Sequence, residues 1–142
     1  MKKHLVLLIL LIATLGCSAQ SLLTPETLAK RAKRKNLTVK EWNTDSHTKT
    51  RWLDRITTYD DQGRKVEEIE YASYGQRWRV TYKYSETTGK VIEEIVYNDK
   101  NHVSRIRKYE WNDDGTKKKQ YNYSPNGRLI SVKVFEYTFS DN

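Results

Sequence analysis

The chain has a single cysteine in 142 residues, Cys17, and that scarcity removes several explanations at once. Because Cys17 lies in the leading apolar stretch, the folded part has no disulfide framework, no cysteine nucleophile and no zinc-thiolate centre. Histidine is nearly as scarce. Beyond the leader only His47 and His102 occur, with no HxH or HExxH spacing, so both read as surface residues rather than metal ligands. No GxSxG, P-loop or GxGxxG pattern occurs either. A non-enzymatic protein without metal or cofactor is expected. Phenylalanine is rare too, at two residues against ten tyrosines and four tryptophans. Tyr and Trp bury an apolar body while keeping a polar tip for water or a partner.

What is present begins with a leader. "MKKH" supplies positive charge, and Leu5 to Leu15 form an apolar run of signal-peptide length, too short for an ordinary membrane-spanning helix. Small residues follow in "GCSAQ". Export is expected, by one of two exits. Cleavage after Ala19 releases a soluble periplasmic or extracellular protein beginning at Gln20. Alternatively, "ATLGC" resembles the lipobox of bacterial lipoproteins, which implies lipidation at Cys17 and a membrane anchor.

The formal net charge of +8 is unevenly spread. Residues 20–51 carry eight basic and three acidic side chains, residues 52–142 sixteen and fifteen. The basic focus is "KRAKRK", with Lys30, Arg31, Lys33, Arg34 and Lys35. On an anchored protein this cluster adds attraction to anionic headgroups; otherwise it is a solvated helix face with cations near the helix C-terminus. Export argues against nucleic acid as its partner.

Written in rows of 26 from Trp52, the body aligns without a gap. Gly63, Gly89 and Gly115 share a column, as do Tyr71, Tyr97 and Tyr123, and Gly75, Asn101 and Gly127. Trp52 and Trp78 open the first two rows. Each row holds two turn signals, such as "DDQG", "ETTG" and "SPNG", between segments rich in Tyr, Val, Ile, Thr and Trp. One repeat is therefore one β-hairpin. The prediction is an all-β antiparallel meander of about seven strands, near 52–59, 65–71, 77–84, 90–97, 103–111, 116–123 and 128–139, as an open curved sheet or a small barrel. "TPETLAKRAKRKN" predicts one short N-terminal helix over about 25–35, from an N-cap at Thr24 to a stop at Asn36. Between them Val39, Glu41 and Trp42 are a candidate extra strand. The organisation expected is a signal over 1–19, a basic helix and linker over 20–51, and a hairpin-repeat domain over 52–142.

Alternation puts Trp78, Val80, Tyr82 and Tyr84 on one face of the third predicted strand, and Arg77, Arg79, Thr81 and Lys83 on the other. In the fourth it puts Val91, Ile95 and Tyr97 on one face and Ile92 and Val96 on the other. The adjacent pairs Glu67/Glu68 and Glu93/Glu94 point to opposite faces, so neither converges on a substrate; they read as partners for basic residues on neighbouring strands. Trp52, Trp78, Tyr82, Tyr84, Tyr97 and Tyr123 form either a core or an aromatic platform for sugar rings or a protein strand.

"YDDQGR" (59–64) and "YSPNGRL" (123–129) resemble the core of the YD repeat of bacterial surface and toxin-associated proteins, with weaker copies in "YSETTGK" and "WNDDG". The resemblance implies a binding or scaffolding role and transfers no catalytic residue. The expected function is an exported, non-catalytic binding or structural module of the cell envelope, with a protein or glycan partner there or a second copy of itself. The alternative is a small barrel acting as carrier, inhibitor or immunity-type protein.

Overall fold

The computed structural model describes residues 22–140; the leader and Cys17 lie outside the described residues. Helix α1 (Pro25–Ala32) starts where its capping chemistry dictates: Thr24 Oγ1 accepts from the Thr27 amide at 3.2 Å, and Pro25 occupies the first turn. It ends at Ala32, short of the expected 35. Residues 33–36 turn the chain, with Asn36 at φ 53°, and its amide donates to the Asp60 carbonyl at 2.8 Å, away from any helical bond.

Eight strands follow: β1 (Thr38–Thr44), β2 (Arg51–Tyr59), β3 (Lys65–Ala72), β4 (Gly75–Tyr84), β5 (Val91–Tyr97), β6 (Val103–Trp111), β7 (Lys117–Tyr123) and β8 (Leu129–Val134). They form one antiparallel sheet in sequence order. The candidate strand around Val39 and Trp42 thus forms, and makes eight where seven were expected. The 60–64 turn shows why short hairpins recur. Asp60 Oδ1 accepts from the amides of Gln62 and Arg64 at 3.0 and 2.8 Å, and Gly63 takes φ +70° to close the loop. Asn98 and Asn101 repeat the arrangement, Asn101 standing at φ 62° in the glycine's place.

The barrel alternative does not form. The first and last strands, β1 and β8, are the two edges of the sheet and pair only with β2 and β7. Closure needs one face apolar enough to fill an interior. Here both faces interleave Val, Ile and aromatic residues with charges, and among the described residues the buried side chains are only Val80, Tyr109 and Thr57. Strand β8 is also shorter than expected: β7 starts at Lys117, so the ladder runs out once Phe135 has donated to the Lys118 carbonyl at 3.1 Å.

Register defines the faces. Thr57, Glu68, Val80 and Val96 stand opposite one another across β2 to β5, and with Trp78, Tyr82 and Tyr84 they make the front face. Arg79, Thr81, Ile95 and Ile106 make the back. Each of the seven strand pairs carries one register shift, and two of these bear on the faces. One sets Arg77 within 2.9 Å of Glu70, opposite Trp78, and the other sets Val91 opposite Tyr84, which leaves Ile92 40% exposed.

Candidate functional site

The N-terminal segment is the feature that organises one end of the sheet. Residues 22–36 run across the three turns that hold Gly63, Gly89 and Gly115, the same column of the 26-residue repeat. The Leu22 amide donates to the Thr88 carbonyl at 3.2 Å, and Asn36 bonds Asp60 at the far end. A Cβ on Gly63 would collide with the Arg31 backbone carbonyl, one on Gly89 would meet Leu23 Cδ1 at 2.6 Å, and one on Gly115 the Leu22 carbonyl at 3.1 Å. Among the described residues, no atom beyond the chain neighbours lies within 4 Å of such a Cβ on Gly75 or Gly127, at the other end. The segment is a strap, and the repeat's glycines leave room for it.

Arginine fastens the strap. Arg31 donates from Nη2 to the Gly89 carbonyl at 2.9 Å and lies 5.3 Å from the Tyr84 ring centre; Arg64 sits at the same distance from that ring. Arg64 in turn pairs with Asp60 at 2.7 Å and Glu86 at 3.0 Å. Partial burial works against the Asp60 charge, but the Arg64 guanidinium and backbone amides outweigh it and hold the carboxyl below its ordinary value. Arg34 lies 5.3 Å from the Tyr59 ring. Of the basic cluster, Lys30 pairs with Glu26 at 2.7 Å, and Lys33 and Lys35 remain exposed. The sequence predicts a headgroup-binding cluster or a solvated helix face; in the fold Arg31 is half-buried against Gly89 and Tyr84, and Arg34 stays exposed beside Tyr59.

Between strap and front face lies a cleft of about 300 Å³ whose walls include Leu23, Tyr84, Val91, Tyr109 and Trp111. Trp111 donates from Nε1 to the Val91 carbonyl at 2.7 Å and stands 6.3 Å from the Tyr109 ring. Lys90 lies 4.9 Å from the Trp111 ring and Lys117 4.6 Å from that of Tyr109. Three cations, Arg31, Lys90 and Lys117, thus line a cleft with one carboxylate, Glu94, itself bound to Arg107 at 3.2 Å. Burial and the Glu94 carboxylate push the Tyr109 hydroxyl well above its ordinary range, and burial raises Tyr84. Both phenols are neutral at physiological pH, so the cleft's charge is set by its lysines, Arg31 and Glu94.

The structure divides the six aromatics singled out in the sequence. Trp78, Tyr82 and Tyr84 share the front face, and Trp52, 40% exposed, stands opposite Asn43 two strand positions from Glu41, which faces front with Arg55. Tyr97 is opposite Arg79 and Tyr123 opposite Ile106, so both lie on the back. There they are covered by Arg79 at 4.0 Å and Lys108 at 5.5 Å. No single platform contains all six. Only Tyr84 of the six lines the cleft; Tyr109, Trp111, Lys90 and Lys117 were missed, although Trp111 stands one residue before a turn where Tyr84 stands in the preceding repeat.

The paired glutamates behave as strand geometry requires. Glu67 bonds Arg79 at 2.9 Å and Glu68 bonds Lys65 at 2.9 Å; Glu93 bonds Lys83 at 3.0 Å while Glu94 takes Arg107 on the other face. His47 and His102 are exposed on separate turns. Among the described residues no three His, Cys, Asp or Glu side chains cluster as metal ligands, and no helix is long and apolar enough to cross a membrane.

Fold and site together define an open, single-layer hairpin-repeat sheet with a strapped end and an aromatic, cation-lined cleft. No protein-family model and no curated protein matches the chain. Among solved structures it is similar to part of S. aureus TarM, in a crystal structure of a mutant complexed with Fondaparinux, alpha-GlcNAc-glycerol and UDP. Identity is 14%, the overlap covers 72% of this chain and 20% of that one, and the TM-score is 0.30. So slight a likeness leaves function to this chain's own residues.

Proposed function

We propose that the protein is an exported, non-catalytic binding module of the cell envelope that takes an acidic glycan in the cleft under its strap. The observation that carries this reading is the composition of that cleft, with ring faces of Trp111, Tyr109 and Tyr84 beside Arg31, Lys90 and Lys117. Flat aromatic faces suit sugar rings, and cations held close to those faces suit carboxylate or sulfate groups on them. Lys90 and Lys117 form no ion pair with a carboxylate among the described residues, which leaves their charge available to a ligand. Export, by cleavage or through an anchor at Cys17, would deliver the cleft to the surface where such polymers lie.

The test uses the chain from Gln20 to Asn142, which contains every described element. It is titrated with a uronic-acid oligosaccharide and with a neutral oligosaccharide of equal length, following the Trp111 indole resonance. Saturable binding of the acidic probe is expected, weakened by salt and by Lys117→Gln, with the probe's length unchanged after incubation. Absence of any response at millimolar probe, weaker than about 4 kcal/mol of binding, would sink the reading. Shortening of the probe would show catalysis and sink it equally.

A further inference from the structure

The front face carries a further recess, beyond the cleft and toward the edge strand β8. It holds about 410 Å³, and its walls include Arg105 and Arg107 of β6, Gln120 and Asn122 of β7, and Ser131 and Lys133 of β8. Register explains why three strands meet there. Arg107, Asn122 and Ser131 form one cross-strand row, and Tyr109, Gln120 and Lys133 form the next on the same face, two residues along. The walls are rich in donors and contain no carboxylate and no aromatic ring. Gln120 donates from Nε2 to Asn122 Oδ1 at 2.8 Å, and Asn122 donates from Nδ2 to Ser131 Oγ at 3.0 Å. That relay runs toward β8 and leaves the Ser131 hydroxyl hydrogen for another acceptor. Arg105 and Lys133 are exposed and form no ion pair among the described residues. Cations and a hydroxyl donor without a nearby carboxylate suit an anion. Arg107 is bound through Nη1 to Glu94 at 3.2 Å, and Glu94 also lines the cleft under the strap, so the two recesses meet at this pair.

We propose that the recess is a second subsite for the acidic glycan, taking a carboxylate or sulfate on a unit further along the same chain, so that the ligand is a polymer crossing β6 to β8. This assignment rests on the reading of the cleft given above. Ser131 lies two strands from Tyr109 and two residues along, about 12 Å across the sheet, which is further than a single sugar ring reaches. The two subsites divide the recognition. In the cleft Trp111, Tyr109 and Tyr84 offer ring faces beside cations, whereas the recess offers charge and hydrogen bonds alone.

Calorimetric titration of the chain from Gln20 to Asn142 with a uronic-acid disaccharide and with a hexasaccharide of the same repeat separates the subsites, because the disaccharide is too short to fill both. The hexasaccharide should bind about tenfold tighter. Part of that gain comes from its several binding registers, so the variants decide. Arg105→Gln and Lys133→Gln, both at exposed side chains, should each weaken the hexasaccharide about threefold and leave the disaccharide and the circular dichroism spectrum unchanged. Lys117→Gln, in the cleft, should weaken both probes. The Ser131 amide resonance should move with the hexasaccharide and stay still with the disaccharide. Disaccharide binding with a hexasaccharide affinity indifferent to Arg105→Gln and Lys133→Gln would overturn the second subsite and leave the cleft reading standing. Equal weakening of both probes by these variants would show a general effect of positive charge and overturn it too, and failure of both probes to bind would overturn both readings.

Discussion

A methyl group is enough to distinguish glycines that the repeat makes look alike. Gly63 and Gly127 both close hairpin turns at positive φ, +70° and +81°, where an L side chain costs about 1–2 kcal/mol. At Gly127 that is the whole cost, because the space beside it is open. At Gly63 the new Cβ also strikes the Arg31 carbonyl, which is backbone and cannot swing aside, so the strap must lift. Gly127→Ala should therefore lose about 1–2 kcal/mol, and Gly63→Ala a further amount on the order of 1–3 kcal/mol from broken strap hydrogen bonds. Urea unfolding followed by tryptophan fluorescence measures both, and equal midpoints would mean the strap does not bear on the turn. The glycine column was legible from the 26-residue period. Its second purpose was hidden, because a tight turn and a close approach of foreign backbone demand the same residue.

At the scale of elements, the strands were readable and the strap was not, for a physical reason. Turn residues and period-two segments are local signals, and they located seven of the eight strands to within a few residues. Helix α1 has no buried side chain. The strap around it docks through Arg31, Leu23 and backbone hydrogen bonds from Leu22 and Asn36, so no apolar stripe advertised where the helix would sit. The difference between Arg31 and Arg34 follows. Arg31 combines a part-buried charged hydrogen bond to Gly89 with a ring contact, whereas Arg34 has only its contact with Tyr59. Arg31→Ala is expected to cost about 2 kcal/mol and Arg34→Ala about 0.5–1 kcal/mol. Hydrogen exchange adds an element-level readout: Arg31→Ala should speed exchange at Leu22 and Gly89 while leaving Asn98 and Asn101, at the opposite end, unchanged. Uniform acceleration at both ends would show that the strap is not a separate unit. Whether the meander closes was also undecided in the sequence: parity puts Glu67 and Glu68 on opposite faces, but short hairpin turns join neighbouring strands in an open sheet and in a barrel alike.

For the whole molecule, one layer of strands means that each strand touches only its neighbours in sequence, as in a repeat array. Stability then varies along the sheet. Val80, 8% exposed, sits in β4 between Glu68 and Val96, while Val134 on β8 is 58% exposed. Removing two buried methyl groups by Val80→Ala should cost about 1–2 kcal/mol, and Val134→Ala a few tenths. The spatial reach of the two changes should differ as well. Val80→Ala lies mid-array, where every longer run of paired strands must cross it, so amide protection should fall from β2 through β6. Val134→Ala should alter only β7 and β8. If native-state exchange shows one uniform free energy, lowered equally in all strands by Val80→Ala, the sheet unfolds as a single cooperative block. The side chains spanning neighbouring strands, such as Glu93 between Lys83 and Lys108, would then bind the array more tightly than nearest-neighbour packing allows.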